Sequence, residues 1–218
     1  MSPITFDDSH KFDVTPPQDD HWKHWLVEEK IKDSDVKMEW RNDKGDGPYN
    51  QGRVTFTVNL PIGEVRSWIL NDSNETRPGV KESRMVAQED DRRIMYTVRP
   101  QKWPFSTRDY LMEEFTAVYR LDPTAEVIVS RSIVDDDLIS MTEETETLKY
   151  VRADIPISGY LIRKYRDEVL RTRVTYITGV DRNNNTAALR FWRNNLRRSL
   201  ISTVDNLIDH DHSLTRQR

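Results

Sequence analysis

Cysteine is absent from the sequence, which excludes both a disulfide framework and a thiol nucleophile. Glycine is scarce, and its seven residues are scattered so that neither a phosphate-cradling loop nor a Gly-x-Ser-x-Gly nucleophile elbow can form. No apolar run approaches the roughly 18 residues that a membrane-spanning helix requires. Residues 1–10 lack the cationic and apolar regions of a secretory leader, so the expected compartment is the cytoplasm. The sequons at Asn71, Asn74 and Asn184 then read as chance matches in polar turns. Positive charge is not in excess either: the net charge of −4 argues against a nucleic-acid partner.

Apolar residues make up 36% of the chain and charged ones 32%. A chain of 218 residues can nonetheless bury a substantial core, and six Trp, six Phe and eight Tyr supply bulk for it. Residues 1–18 are polar and aperiodic with Pro16 and Pro17, and are expected to be a mobile tail. Residues 19–212 read as one domain and 213–218 as a short second tail. Asp19 or Asp20 can cap a first helix carrying Trp22, Trp25 and Leu26 at helical spacing.

The pattern then changes to period two. Val36, Met38 and Trp40 alternate with polar residues, as do Val54, Phe56 and Val58. Pro61 opens a second helix with Val65, Trp68 and Ile69 on one face. Residues 80–89 and 93–99 predict a hairpin turning at Asp90-Asp91, and 107–121 with 125–135 predict another turning at Asp122-Pro123. Residues 148–157 and 169–180 predict two more strands, with 158–163 between them as strand or wide loop.

Behind an Asn183-Asn-Asn185 cap, Leu189, Trp192, Leu196, Leu200, Val204 and Leu207 recur every three or four residues. A helix over 186–209 would be roughly 35 Å long. Its apolar face contributes roughly 10 kcal/mol of gross transfer free energy, which requires a partner surface. Consecutive hairpins with helices at the ends indicate an α+β fold in which this last helix lies across a largely antiparallel sheet.

Chemistry-bearing clusters are few. His10, His21, His24, His210 and His212 lie near the ends; His210-Asp-His212 offers at most a loose metal site, and all five read as solvated. Asp90-Asp91, 135–137 and Glu143-Glu144 read as hairpin tips and loops. Arg190, Arg193, Arg197 and Arg198 form a basic stripe on the last helix, either an ordinary solvated face or a contact for anionic headgroups.

One segment carries a signature: Lys102-Trp-Pro-Phe-Ser-Thr-Arg-Asp-Tyr-Leu111. An aromatic-Pro-aromatic turn followed by Ser-x-Arg-Asp-aromatic-aliphatic at a strand start resembles the START family, the lipid-transfer domains related to the steroidogenic acute regulatory protein. Gly52 to Leu60 with the following helix, Val80-Lys-Glu-Ser, Ile94-Met-Tyr-Thr-Val-Arg99, Ser158-Gly-Tyr-Leu-Ile162 and Thr175-Tyr-Ile-Thr178 resemble the family's other elements in order and spacing, over roughly residues 20 to 210. The resemblance implies a helix-grip: a curved antiparallel sheet wrapped around a long C-terminal helix, with an internal hydrophobic tunnel between them.

It also implies a non-catalytic carrier of one lipid or other hydrophobic ligand. A monomer without cofactor or metal, in transient contact with membrane surfaces, is the accompanying expectation. Alternation along the strand from Arg108 puts Arg108, Tyr110, Met112 and Glu114 on one face. Tyr96, Val98, Tyr160, Ile162 and Tyr176 are further candidate lining residues, joined from the last helix by Leu189, Trp192 and Leu196. Arg108 and Asp109 read either as a pair stabilising the strand or as headgroup contacts; Trp103 and Phe105 read as packing at the turn. The family places a cavity arginine six residues after the signature arginine, where this chain has Glu114; the family's acidic partner on the preceding strand aligns near Thr97. The charged pair is thus missing or rewired. Asp181-Arg-Asn-Asn-Asn185 also lacks the Gly and Pro of the family's stretch before the last helix. Two other functions fit the architecture: a cyclase- or hydrolase-type enzyme using Glu114 with Tyr96 or Tyr110, and a partner-binding module without lipid transfer.

Overall fold

A computed structural model describes residues 23–24, 35–42, 50–71, 80–100, 106–119, 122, 124–133, 150–155, 157–166, 168–179 and 189–217. Its strands are β1 (Lys23–His24), β2 (Lys37–Asn42), β3 (Asn50–Val58), β4 (Glu82–Glu89), β5 (Arg92–Arg99), β6 (Arg108–Val118), β7 (Ala125–Ser132), β8 (Val151–Arg152), β9 (Ser158–Tyr165) and β10 (Glu168–Gly179). The helices are α1 (Ile62–Asn71) and α2 (Leu189–Gln217). Nine strands run in the order β1-β2-β3-β10-β9-β7-β6-β5-β4, every neighbouring pair antiparallel. The short β8 pairs parallel with Arg108 and Asp109 of β6, just beyond the reach of β7, which ends opposite Met112.

The period-two segments form the strands they predict. The β4–β5 hairpin turns through Asp90, whose φ of 46° lies in the left-handed region that Asp tolerates better than most residues. At the β6–β7 turn the Asp122 carboxylate accepts from the Thr124 N–H at 2.9 Å and hydroxyl at 2.7 Å, which holds that carboxyl below its usual range. Residues 158–163 resolve as the start of β9. Gly159 is required there, since a Cβ would stand 2.5 Å from the Ile128 carbonyl oxygen on β7.

Three expectations change. Lys23 and His24, inside the expected first helix, are extended and pair with Trp40 and Glu39 of β2; the flanking residues lie outside those described. Of the strand expected over 148–157, only Val151 and Arg152 are strand among the described residues, β7 already filling most of that side of β6, while 148, 149 and 156 lie outside those described. The last helix continues through 210–217 to Gln217, so residues read as a tail form its final turns.

The core settles which sheet face is internal. Leu196 and Leu200 of α2 lie against Gly52, where an added Cβ would be 3.0 and 2.9 Å from their side chains. Antiparallel partners share a face, so Val54, Phe56 and Val58 of β3, Val174 and Tyr176 of β10, and Tyr160 and Ile162 of β9 all point the same way as Gly52, toward α2. Leu200, Val204 and Leu207 join these strands, Met38, Ile128 and α1's Val65 and Ile69 in one buried cluster. Two polar ties fix the helix end of this core. The buried Asp211 carboxylate accepts the Asn59 N–H at 2.9 Å, and the Thr172 hydroxyl donates to the Leu60 carbonyl at 2.6 Å.

Candidate functional site

The sealed cluster occupies only part of the inner face, and β6 shows where it ends. Asp109, Leu111 and Glu113, on the outer face, are 2%, 0% and 5% exposed; Tyr110, Met112 and Glu114, on the inner face, all remain partly exposed. At Met112 and Glu114, where β6 is paired with both β5 and β7, this accessibility opens from the inner face and not from a sheet edge.

The outer face of the same strands is closed by packing and by ion pairs. Ile94, Tyr96, Val98 and Leu111 form a second buried cluster with half-buried Ile133 and Tyr150 against it. Glu113 is held by Arg131 at 2.9 Å and Arg92 at 3.2 Å, and Asp109 by Arg152 at 2.8 Å. Both of these buried carboxylates thus meet a guanidinium, without which their burial would be strongly unfavourable. Burial, and next the Asp109 carboxylate, push the Tyr96 phenol up to about 12.

Tyr96 and Val98 therefore do not line the inner face. Their partners across β5–β6 are Leu111 and Asp109, both outward, whereas Met95 and Thr97 stand opposite Met112 and Tyr110. The reason is that Ile94, Met95 and Tyr96 are all buried, so hydropathy along β5 does not distinguish its faces. The loop to β6 is too long to fix the register from the sequence. The inward residues missed are Arg93, Met95, Thr97 and Arg99, which the even-numbered face of β6 selects once the register is known.

Of the remaining candidates, Arg108, Tyr110, Met112 and Glu114 share the inner face with Tyr160, Ile162 and Tyr176. Ile162 and Leu196 belong to the closed core at 0% and 6% exposure. Leu189 and Trp192 lie on the α2 backbone with side chains outside the described residues. Trp103, Phe105 and the stretch 181–185 also lie outside them. Tyr160 and Tyr176 stack with ring centroids 4.4 Å apart, and the Ser158 hydroxyl lies 3.4 Å from the Tyr176 hydroxyl.

Polar groups on the accessible half are concentrated on β5 and β6. Arg93 stands directly opposite Glu114 and donates to Oε2 through Nε at 2.6 Å; its Nη1 donates at 2.8 Å to the Leu70 carbonyl at the end of α1. A cation there also complements the negative end of the helix. Glu114 is thus paired across the strands with Arg93 of β5, and not with a group at Thr97, which stands opposite Tyr110. Further along, the Thr97 hydroxyl lies 3.2 Å from that of Ser83, and the Arg99 guanidinium sits 5.7 Å from the Tyr110 ring centre. Arg108 and Asp109 do not pair along the strand, since adjacent residues face opposite sides; Asp109's partner is Arg152.

Nothing in this arrangement assembles a metal site among the described residues. His210 and His212 are two apart on α2 and project from opposite sides of it; the His210 ring lies 6.4 Å from that of Trp68.

No family model matches the sequence, and no curated protein matches it. Solved structures do match. Human StAR-related lipid transfer protein 5 superposes with a TM-score of 0.69 at 14% identity, over 90% of this chain and 89% of that one. A STAR-related lipid transfer protein fragment from Xanthomonas axonopodis gives 0.67 at 18%, over 88% and 99%. The lipid transfer and protein localization domain of human StarD13 gives 0.62 at 17%, over 78% and 79%. At these identities the likeness is one of fold, and the α+β helix-grip architecture expected from the sequence is the one observed.

Proposed function

We propose that this protein binds one lipid or similarly hydrophobic molecule between α2 and the inner face of β4–β7, and carries it between membranes without transforming it. The reading rests on the inverted exposure of β6. A single sheet covered on one side normally shows its inner face closed and its outer face open; here, over residues 109–114 of β6, the outward Asp109, Leu111 and Glu113 are buried while Tyr110, Met112 and Glu114 retain accessible surface on the inner face, beside the closed Arg108 and Met95. Met95, Tyr110 and Met112 stand on this face among Arg93, Thr97, Arg99, Arg108 and Glu114, a mixed lining that suits a ligand with a hydrophobic body and a polar end. The lipid transfer domains that share the fold support the same class of ligand.

Carriage is favoured over catalysis by the disposition of the acid–base candidates Glu114, Tyr96 and Tyr110. Tyr96 lies on the opposite face from Glu114, Tyr110 shares its face but stands four residues away, roughly 13 Å along the strand, and the Glu114 carboxylate is held by Arg93. Glu114→Gln should therefore leave ligand content within about twofold of the parent. A new product from a lipid substrate that disappears in this variant would instead indicate an enzyme. The direct test is native mass spectrometry of the purified chain, with solvent extraction of what it holds. One hydrophobic molecule per chain, exchangeable with labelled vesicle lipid, is expected. A chain that neither retains nor takes up lipid would overturn the reading in favour of a partner-binding module.

A further inference from the structure

The β9–β10 hairpin tip carries charge of the opposite sign to the rest of the protein. Between Arg163 and Arg173 the sequence has five cations, Arg163, Lys164, Arg166, Arg171 and Arg173, against Asp167 and Glu168, in a chain whose net charge is −4. Arg163, Lys164 and Arg166 are exposed. The Arg166 and Arg171 guanidiniums lie 5.1 and 4.5 Å from the centre of the Tyr165 ring, so the aromatic ring organises two cations at the tip. Arg166 has a φ of 54°, a conformation unfavourable for a long side chain, yet an arginine occupies it.

Apolar side chains project beside these charges. The register of β10 against β9 shifts between Glu168 and Thr172, and within that irregularity Leu170 is 58% exposed. Val118, at the end of β6, is 63% exposed. It stands opposite Glu126, itself opposite Ile162, so it lies two strands from β9, about 10 Å away, at the same end of the sheet. Two acids at this end of the sheet have partners of their own, Asp122 in Thr124 and Glu126 in Arg66 at 3.4 Å.

We propose that this hairpin end docks on a bilayer surface bearing anionic lipid, with the guanidiniums at the phosphates and Leu170 at the headgroup–acyl boundary. Clustered cations with an exposed apolar side chain suit that boundary. A nucleic acid would use the charges alone, and the overall negative charge disfavours it. The inference rests on the carrier reading in that a carrier must visit membranes. It places the visit at the hairpin end and not at the arginine stripe of α2.

Flotation of the full chain with two kinds of vesicle tests it: phosphatidylcholine alone, and phosphatidylcholine mixed with an equal amount of phosphatidylserine. The mixed vesicles should bind preferentially, less so in high salt. The paired variant Lys164→Gln/Arg166→Asn should bind them roughly 30-fold more weakly, at about fivefold per charge removed. Leu170→Ser should weaken binding several-fold, whereas Arg198→Gln on α2 should not. Extracted lipid content should be unchanged in all these variants, so loss of docking with retained ligand separates this proposal from the carrier reading. Equal binding to both vesicles, loss of binding in Arg198→Gln but not in the hairpin variants, or preference for polyglutamate over vesicles would each overturn it.

Discussion

Burial changes what individual side chains do, and Tyr96 shows the sign of the effect. Its phenol titrates near 10 when solvated and about 12 in the fold, because burial and Asp109 disfavour the phenolate. Below pH 10 both folded and unfolded chains keep the proton, and the contribution to stability is fully present. As the pH rises from 10 toward 12, the unfolded chain releases its proton while the folded one retains it. Stability from this residue should therefore fall by roughly 3 kcal/mol over that interval. Denaturant midpoints across alkaline pH, followed alongside phenolate absorbance, would show a shallower decline in Tyr96→Phe than in the parent. Gly159 gives a second, steric test. A Cβ there meets the Ile128 backbone oxygen at 2.5 Å, and backbone in the middle of a sheet cannot give way as a side chain can. Gly159→Ala should cost about 3 kcal/mol, read from the same denaturant curves. Gly52→Ala meets only the Leu196 and Leu200 side chains and should cost less, about 1 kcal/mol.

Elements whose apolar residues alternate strictly were legible from the sequence; a strand with apolar residues on both faces was not. Val54, Phe56 and Val58 alternate with polar partners, and the heptad-like spacing of Leu196, Leu200, Val204 and Leu207 marks the one face of α2 that packs. On β5, Ile94, Met95 and Tyr96 are all buried, and only pairing with β6 decides that Met95 faces inward. The end of α2 was misjudged for a related reason. Past Leu207 its inward position is Asp211, a polar residue that terminates an apolar pattern but continues the packed face by accepting the Asn59 N–H. This bond ties the helix to the turn before α1. Asp211→Ala should lower stability by about 1–2 kcal/mol, whereas Asp211→Asn, which keeps an acceptor oxygen, should lose less than half of that. Hydrogen exchange would place the weakening in residues 207–217 and at Asn59. A uniform loss across the sheet would contradict a local tie.

For the molecule as a whole, a resemblance in motif order led to the right architecture, because helix-grip packing demands the same succession of hairpins and a long closing helix whatever the ligand. Site identity was less legible, since the inner face depends on register, and the sequence left the partner of Glu114 open until pairing across β5–β6 brings Arg93 to it. The division of that face into a sealed half and an accessible half has a consequence for the entire chain. A bulky side chain in the sealed half would unfold the protein, but one in the accessible half should occupy ligand space. Met112 is the position to use, being partly exposed on the inner face with Ser132 beside it, the hydroxyl 3.4 Å from its sulfur. Met112→Trp should keep the unassisted denaturation midpoint within about 1 kcal/mol of the parent, because little packed volume is displaced. It should also lower bound lipid at least tenfold. A ligand that binds only the folded state stabilises it in proportion to RT ln(1 + [L]/Kd), so lipid-loaded parent protein should melt above its delipidated form, and the variant should lose that increment. Were Met112→Trp to melt like the parent and still carry one lipid, the accessible half of the inner face would not be where the ligand sits.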